Sequence, residues 1–71
     1  MPSKEEIQVK QFGIRLSKLR KQLNLSQEEV AWKAGIGDNQ IGRIERGEIS
    51  ASLKTIYKIC NSLSIDIKEL F

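Results

Sequence analysis

The twenty residues from Gln27 to Arg46, QEEVAWKAGIGDNQIGRIER, constrain the fold more than any other part of the chain. Val30 and Ala31 supply apolar groups on a short helix-forming run, and Ala31 is small enough for a second helix to cross close by. Gly35 follows where that run must stop, a position at which chains commonly take φ > 0 and glycine does so without a Cβ penalty. Ile41 and Ile44, three apart, then give a second run its inward stripe. Together these positions predict two short helices folded around a glycine turn, the second of them exposing a polar face that bears arginine.

Length and composition bound the rest. A chain of 71 residues predicts a single domain over 1–71 with a small core, stable by only ~3–5 kcal/mol. No disulfide can add to that, because Cys60 is the only cysteine. Its place on the apolar side of a predicted helix suggests a buried thiol in a reducing compartment. The chain has no histidine to activate that thiol or to share a metal, so no metal site, no cofactor and no enzyme chemistry is expected. The first residues, MPSKEEIQVK, are too charged for a signal peptide, and no apolar run approaches the ~20 residues of a membrane span. A soluble, cytoplasmic protein is expected. The net charge of +3, from 12 Lys and Arg against 9 Asp and Glu, fits a merely solvated domain as readily as a nucleic-acid binder, so its distribution matters more than its sum. Lys10, Arg15, Lys18, Arg20 and Lys21 load the first helix with base, whereas Glu28, Glu29, Asp38, Glu45 and Glu48 place acid through the middle.

The longest periodic run extends from about Lys4 to Leu23 after an N-terminal tail of about residues 1–5, with Val9, Phe12, Leu16, Leu19 and Leu23 on one face. Ile7 and Ile14 fall on roughly the opposite side and are either ordinary exposed residues or an oligomer contact. Asn24-Leu25 breaks this helix. Ser26, with Glu29 three residues on, is a capping box that opens the second helix, which runs to about Ala34. Gly37 can cap a third and Gly47 ends it. Ser52 can cap a fourth, with Leu53, Ile56, Ile59, Cys60 and Leu63 inward. Asp66 and Glu69 form a second capping box, opening a short fifth helix that ends with Leu70 and Phe71. The fold class expected is all-α, a compact arrangement of five helices.

In LRKQLNLSQEEVAWKAGI, IGRIERG and SLSIDIKELF the chain resembles the phage-repressor-like helix-turn-helix domains, lambda-repressor-type or Xre-type, over about Phe12 to Phe71. The resemblance implies a motif at about 27–46, binding to double-stranded operator DNA as a homodimer, and the third helix in the major groove. At about 100° per residue, Asp38, Asn39, Gly42, Arg43 and Arg46 cluster on one side of that helix, with Ile41, Ile44 and Glu45 on the other and Gln40 at the margin. A recognition helix reads bases mainly from its N-terminal part, which nominates Asp38, Asn39, Gln40 and Arg43. The Arg43 guanidinium can donate two bonds to guanine, and Asn39 can pair likewise with adenine or bond the helix backbone. Asp38 either accepts from cytosine or stabilises the helix N-terminus. Gly42, without a side chain, is expected to admit DNA closely. By resemblance Gln27 holds a phosphate at the second helix's N-terminus. Arg46 should reach the opposite phosphate wall and Lys54, in the first turn of the fourth helix, is either a third phosphate contact or a solvated lysine. Also by resemblance, Arg20 and Glu45 form a partly buried ion pair tying the first helix to the third.

Three residues depart from the family pattern. Gly37 replaces the usual Ser or Thr cap. Glu48 should repel phosphates in a loop where relatives carry bases, predicting low, salt-dependent non-specific affinity. Trp32 stands where a polar residue is usual, and either covers the side of the first helix or contacts a partner. The leading function is therefore a sequence-specific transcriptional regulator, a repressor or autoregulator on a palindromic site. The alternative is a protein-interaction module, such as an antitoxin or accessory subunit, using the Trp32 and Ile7/Ile14 surfaces.

Overall fold

In the computed structural model, which describes residues 1–71, each helix begins at a polar cap or a glycine. Ser3 accepts a hydrogen bond from the Glu6 N–H to start α1 (Lys4–Gln22), so the tail is Met1 to Ser3, two residues shorter than expected. The capping box of Ser26 and Glu29 is present in both directions and opens α2 (Gln27–Ala34). Gly35 ends it at φ 68°, ψ 37°, the left-handed conformation predicted from its position. Gly37 precedes α3 (Asp38–Glu45), and Ser52 caps α4 (Leu53–Leu63) by accepting from the Thr55 N–H.

The fifth helix is not an α-helix. The second capping box forms as read, with Asp66 and Glu69 each bonding the other's backbone N–H, or in the case of Asp66 also that of Lys68. It opens only a 3₁₀ turn, Ile67–Leu70. Four residues hold a single turn of i→i+3 bonds, too short for the α ladder. The fold is thus all-helical with four α-helices and a terminal 3₁₀ turn.

The core gathers one stripe from each element: Leu16 from α1, Val30 and Ala31 from α2, Ile41 and Ile44 from α3, Ile59 and Cys60 from α4, and Leu70 from the turn. α3 packs against α1 and α2, and α4 against α2. Burial pushes the Cys60 thiol above its ordinary pKa, as expected of a packing residue rather than a nucleophile. Three expected core residues lie outside it, one of them the half-buried Val9 of α1. Leu53 is 63% exposed, at the first position of α4, one turn before the buried stripe begins at Ile56. Leu23 is exposed because α1 stops at Gln22 and Leu23 serves as its C-cap, bonded through its N–H to the carbonyls of Leu19 and Arg20.

Gly13 sets how closely α3 approaches α1. A Cβ there would meet the Ile44 carbonyl oxygen within clash distance and the Glu45 carbonyl oxygen at 2.8 Å. Only glycine lets the two backbones come this near, so this residue fixes the seat of α3.

Candidate nucleic-acid interface

α3 divides as its helical wheel requires. Ile41 and Ile44 are buried in the core and Glu45 lies beneath them against α1, while Asp38, Asn39, Gln40 and Arg43, with Arg46 at its C-cap, are exposed. Gln27, Asp38, Asn39, Arg43, Arg46 and Glu48 share the wall of a concavity of about 330 Å³ that has no apolar residue in its lining, with Gly42 at its floor. Gln40 and Lys54 do not line it. Lys54 is exposed in the first turn of α4, a turn with no acidic residue.

Beneath this face runs a chain of charge-assisted hydrogen bonds. Arg20 donates from Nε to Glu45 Oε2 at 2.7 Å and from Nη2 to Oε1 at 3.0 Å, a bidentate pair, while its Nη1 reaches the Leu25 carbonyl at 2.8 Å. Both residues are less than a tenth exposed. Gln27 Nε2 then donates to the same Glu45 Oε1 at 2.9 Å. Burial pushes the Glu45 carboxyl up in pKa. The hydrogen bonds from Arg20 and Gln27, with the Arg20 charge, outweigh it and hold the group below its ordinary range. The ion pair expected between the first and third helices is therefore present, and it continues to the N-terminus of α2, where it aims the Gln27 side chain.

Gly42 makes room for neighbours that its position on the wheel did not show. It is buried, and a Cβ on it would stand 2.9 Å from Arg46 Nη1 and 3.1 Å from Gln27 Oε1. What the missing side chain admits is the pair of flanking polar side chains, which lie across the helix there. Helical periodicity places a residue on a face but does not show which neighbours lean over it.

Arg46 and Arg43 are not free cations. Arg46 Nε donates to Glu48 Oε2 at 2.5 Å, and Arg43 Nε lies 3.8 Å from Glu48 Oε1. The hydrogen bond from Arg46 holds the Glu48 carboxyl below its ordinary range, helped by the charges of both arginines.

Three features of this site escaped the sequence: the seat made by Gly13, the Gln27–Glu45 bond, and the pairing of Glu48. Gly13 did carry a signal, since a glycine inside a long helix costs about 1 kcal/mol against alanine and asks for a packing reason. The other two depend on side-chain placement that spacing does not encode. Among the residues set aside as partner contacts, Trp32 is 80% exposed, which excludes its covering α1, and Ile7 and Ile14 are exposed at 45% and 60%.

Residues 16–70 match the family model for helix-turn-helix. The chain belongs to the helix-turn-helix family. Its fold is that of the restriction-modification controller protein C.AhdI from Aeromonas hydrophila, with a TM-score of 0.89 at 38% identity, covering 92% of this chain and 98% of that one. It is 39% identical over 61 residues to the control protein C.MunI of a Mycoplasma species, covering 84% of this chain and 82% of C.MunI. It is 33% identical over 57 residues to an HTH-type transcriptional regulator of Archaeoglobus fulgidus, covering 80% of each. The chain is accordingly a DNA-binding transcriptional regulator of the Xre and controller-protein type and not an enzyme. None of its helices is long and apolar enough to cross a membrane.

Proposed function

We propose that this helix-turn-helix chain is a sequence-specific repressor or autoregulator that acts in the cytoplasm, as one domain over residues 1–71, and binds a palindromic operator as a homodimer with α3 in the major groove. The observation that carries this reading is the division of α3. One face is locked to α1 and α2 by Ile41, Ile44 and the Arg20–Glu45 pair, and the other presents Asp38, Asn39, Gln40 and Arg43 without a covering element. Rigid support beneath an exposed polar helix is what base reading requires, because bidentate contacts tolerate little misplacement.

In this reading Arg43 and Asn39 read guanine and adenine, Gln40 flanks them, and Asp38 accepts from a base or stabilises the N-terminus of α3. Gln27, held by Glu45, meets a phosphate at the N-terminus of α2, where free N–H groups favour anions. Arg46 and Lys54 contact the phosphates further out. A two-fold dimer would place half-sites about one turn apart, ~34 Å. The likeness to two proteins named as controllers supports a regulator of this kind. Titration with an operator duplex tests the assignment: Arg43→Ala and Gln27→Ala should each weaken binding at moderate salt, and unchanged affinity in both would show the reading face to be elsewhere.

A second reading rests on Trp32. An indole 80% exposed on α2 suits contact with another protein, and a partner lost on Trp32→Ala would favour an accessory or antitoxin role.

A further inference from the structure

The turn after α3 has the hydrogen bonds of a Schellman motif, but the residue in its last position is an unusual one. Gly47 takes φ 72°, its N–H bonds the Ile44 carbonyl at 3.0 Å, and the Glu48 N–H bonds the Arg43 carbonyl at 2.9 Å. In this motif the position held by Glu48 often makes an apolar contact with the last turn of the helix. Here it carries a carboxylate instead, pinned by the backbone beside Arg43 and Arg46. The C-terminal end of a helix dipole disfavours an acid, so helix stability does not explain the choice. The carboxylate meets Arg46 with both oxygens, at 2.5 and 3.5 Å, and lies 3.8 Å from Arg43. All three side chains are about half exposed, so the pairing is open to exchange with another anion.

The geometry points to Glu48 as an affinity-limiting residue, an internal counter-ion that holds Arg43 and Arg46 until DNA displaces it. This inference rests on the reading of α3 as the DNA-contacting face. A non-specific duplex offers these arginines only phosphates, which must compete with a carboxylate already in place. An operator offers Arg43 two hydrogen bonds from a base edge as well, so the same cost leaves operator binding in place while it empties the weaker non-specific complexes. Glu48 thus lowers affinity for any DNA that displaces it, and by the same factor, because the pairing that is broken belongs to the free protein.

The test uses the full chain and two probes, a mixed-sequence duplex and a duplex selected from a random pool, with affinity followed by fluorescence anisotropy against salt. Glu48→Gln should bind the mixed duplex more tightly, with a salt slope steeper by about 0.9 for the one internal anion removed, which amounts to about a 3.5-fold larger loss of affinity between 50 and 200 mM salt. The gain should be of similar size on the selected duplex, and it should vanish when Arg46→Ala is combined with Glu48→Gln. Equal affinity and slope for Glu48→Gln and the parent chain would overturn the inference. So would an equal gain with Arg46 present or absent, which would mark Glu48 as a distant charge only. The reading of the α3 face fails separately, if Arg43→Ala leaves affinity for the selected duplex unchanged. No binding to either duplex, by parent or variant, would overturn both.

Discussion

Truncating Arg20 should unfold the domain at neutral pH, through the acid it leaves behind more than through the contacts it loses. In the folded chain its guanidinium makes two bonds to Glu45 and one to the Leu25 carbonyl, in a site where each residue of the pair is less than a tenth exposed. Arg20→Ala leaves the Glu45 carboxylate buried with Gln27 Nε2 and the Ser17 hydroxyl as its remaining side-chain donors. Removing one partner of a buried pair costs about 3–5 kcal/mol, comparable with the whole stability of about 3–5 kcal/mol that a core of this size supplies. Urea denaturation followed by far-UV circular dichroism would show the loss. Two controls identify its source. Arg20→Met with Glu45→Leu removes both charges and should recover stability to within about 1 kcal/mol of the parent. In Arg20→Ala, burial without the guanidinium should raise the Glu45 pKa above its unfolded value, so the folded state is helped as pH falls through that raised pKa, a partial rescue in mild acid. A loss below about 1 kcal/mol for Arg20→Ala, the range of a surface pair, would refute the account of how α3 is seated.

Further outcomes follow from the same packing. Gly13→Ala should destabilise by about 2 kcal/mol or more despite its better helix propensity, because the clash is with the backbone carbonyls of Ile44 and Glu45 and α3 would have to move away; thermal melts would read it. Gly42→Ala should leave stability nearly unchanged, since a propensity gain of about 1 kcal/mol offsets a displaced Gln27–Glu45 bond, yet DNA affinity measured by titration should fall as Gln27 and Arg46 swing aside. For the parent chain, Glu45 has a folded pKa below its ordinary 4.5. Its contribution to stability is therefore complete above that value and is lost as pH falls through the depressed pKa, so denaturation midpoints should be flat near neutrality and drop below about pH 4.5.

The parts of this molecule that were legible in the sequence are those governed by short-range rules. The Ser26–Glu29 box, the left-handed Gly35 and the stripe of Ile41 and Ile44 each follow from local backbone chemistry, and all three appear as read. The Arg20–Glu45 pair lies 25 residues apart and was reached only through resemblance to a family, since no spacing rule links α1 to α3. The errors come at ends and on surfaces. The last turn is 3₁₀ because four residues cannot sustain an α ladder, and Leu53 is exposed because its helix begins before the core does. The helical wheel gives the face on which Gly42 lies, but not that its missing Cβ leaves room for the side chains of Gln27 and Arg46 lying over it. The capture of both arginines by Glu48 depends on the Gly47 turn bringing the chain back beside α3, a tertiary fact that charge patterning recorded only as nearby acid.

The central claim, that the exposed face of α3 reads base sequence, is tested most directly by selecting duplexes from a random pool with the parent chain and with Arg43→Ala in parallel. The parent should enrich a palindrome with half-sites about one helical turn apart, and Arg43→Ala should relax preference at one guanine in each half-site by about 1–3 kcal/mol while leaving the other positions in place. An unchanged site for Arg43→Ala, or no enriched sequence for the parent, would contradict it.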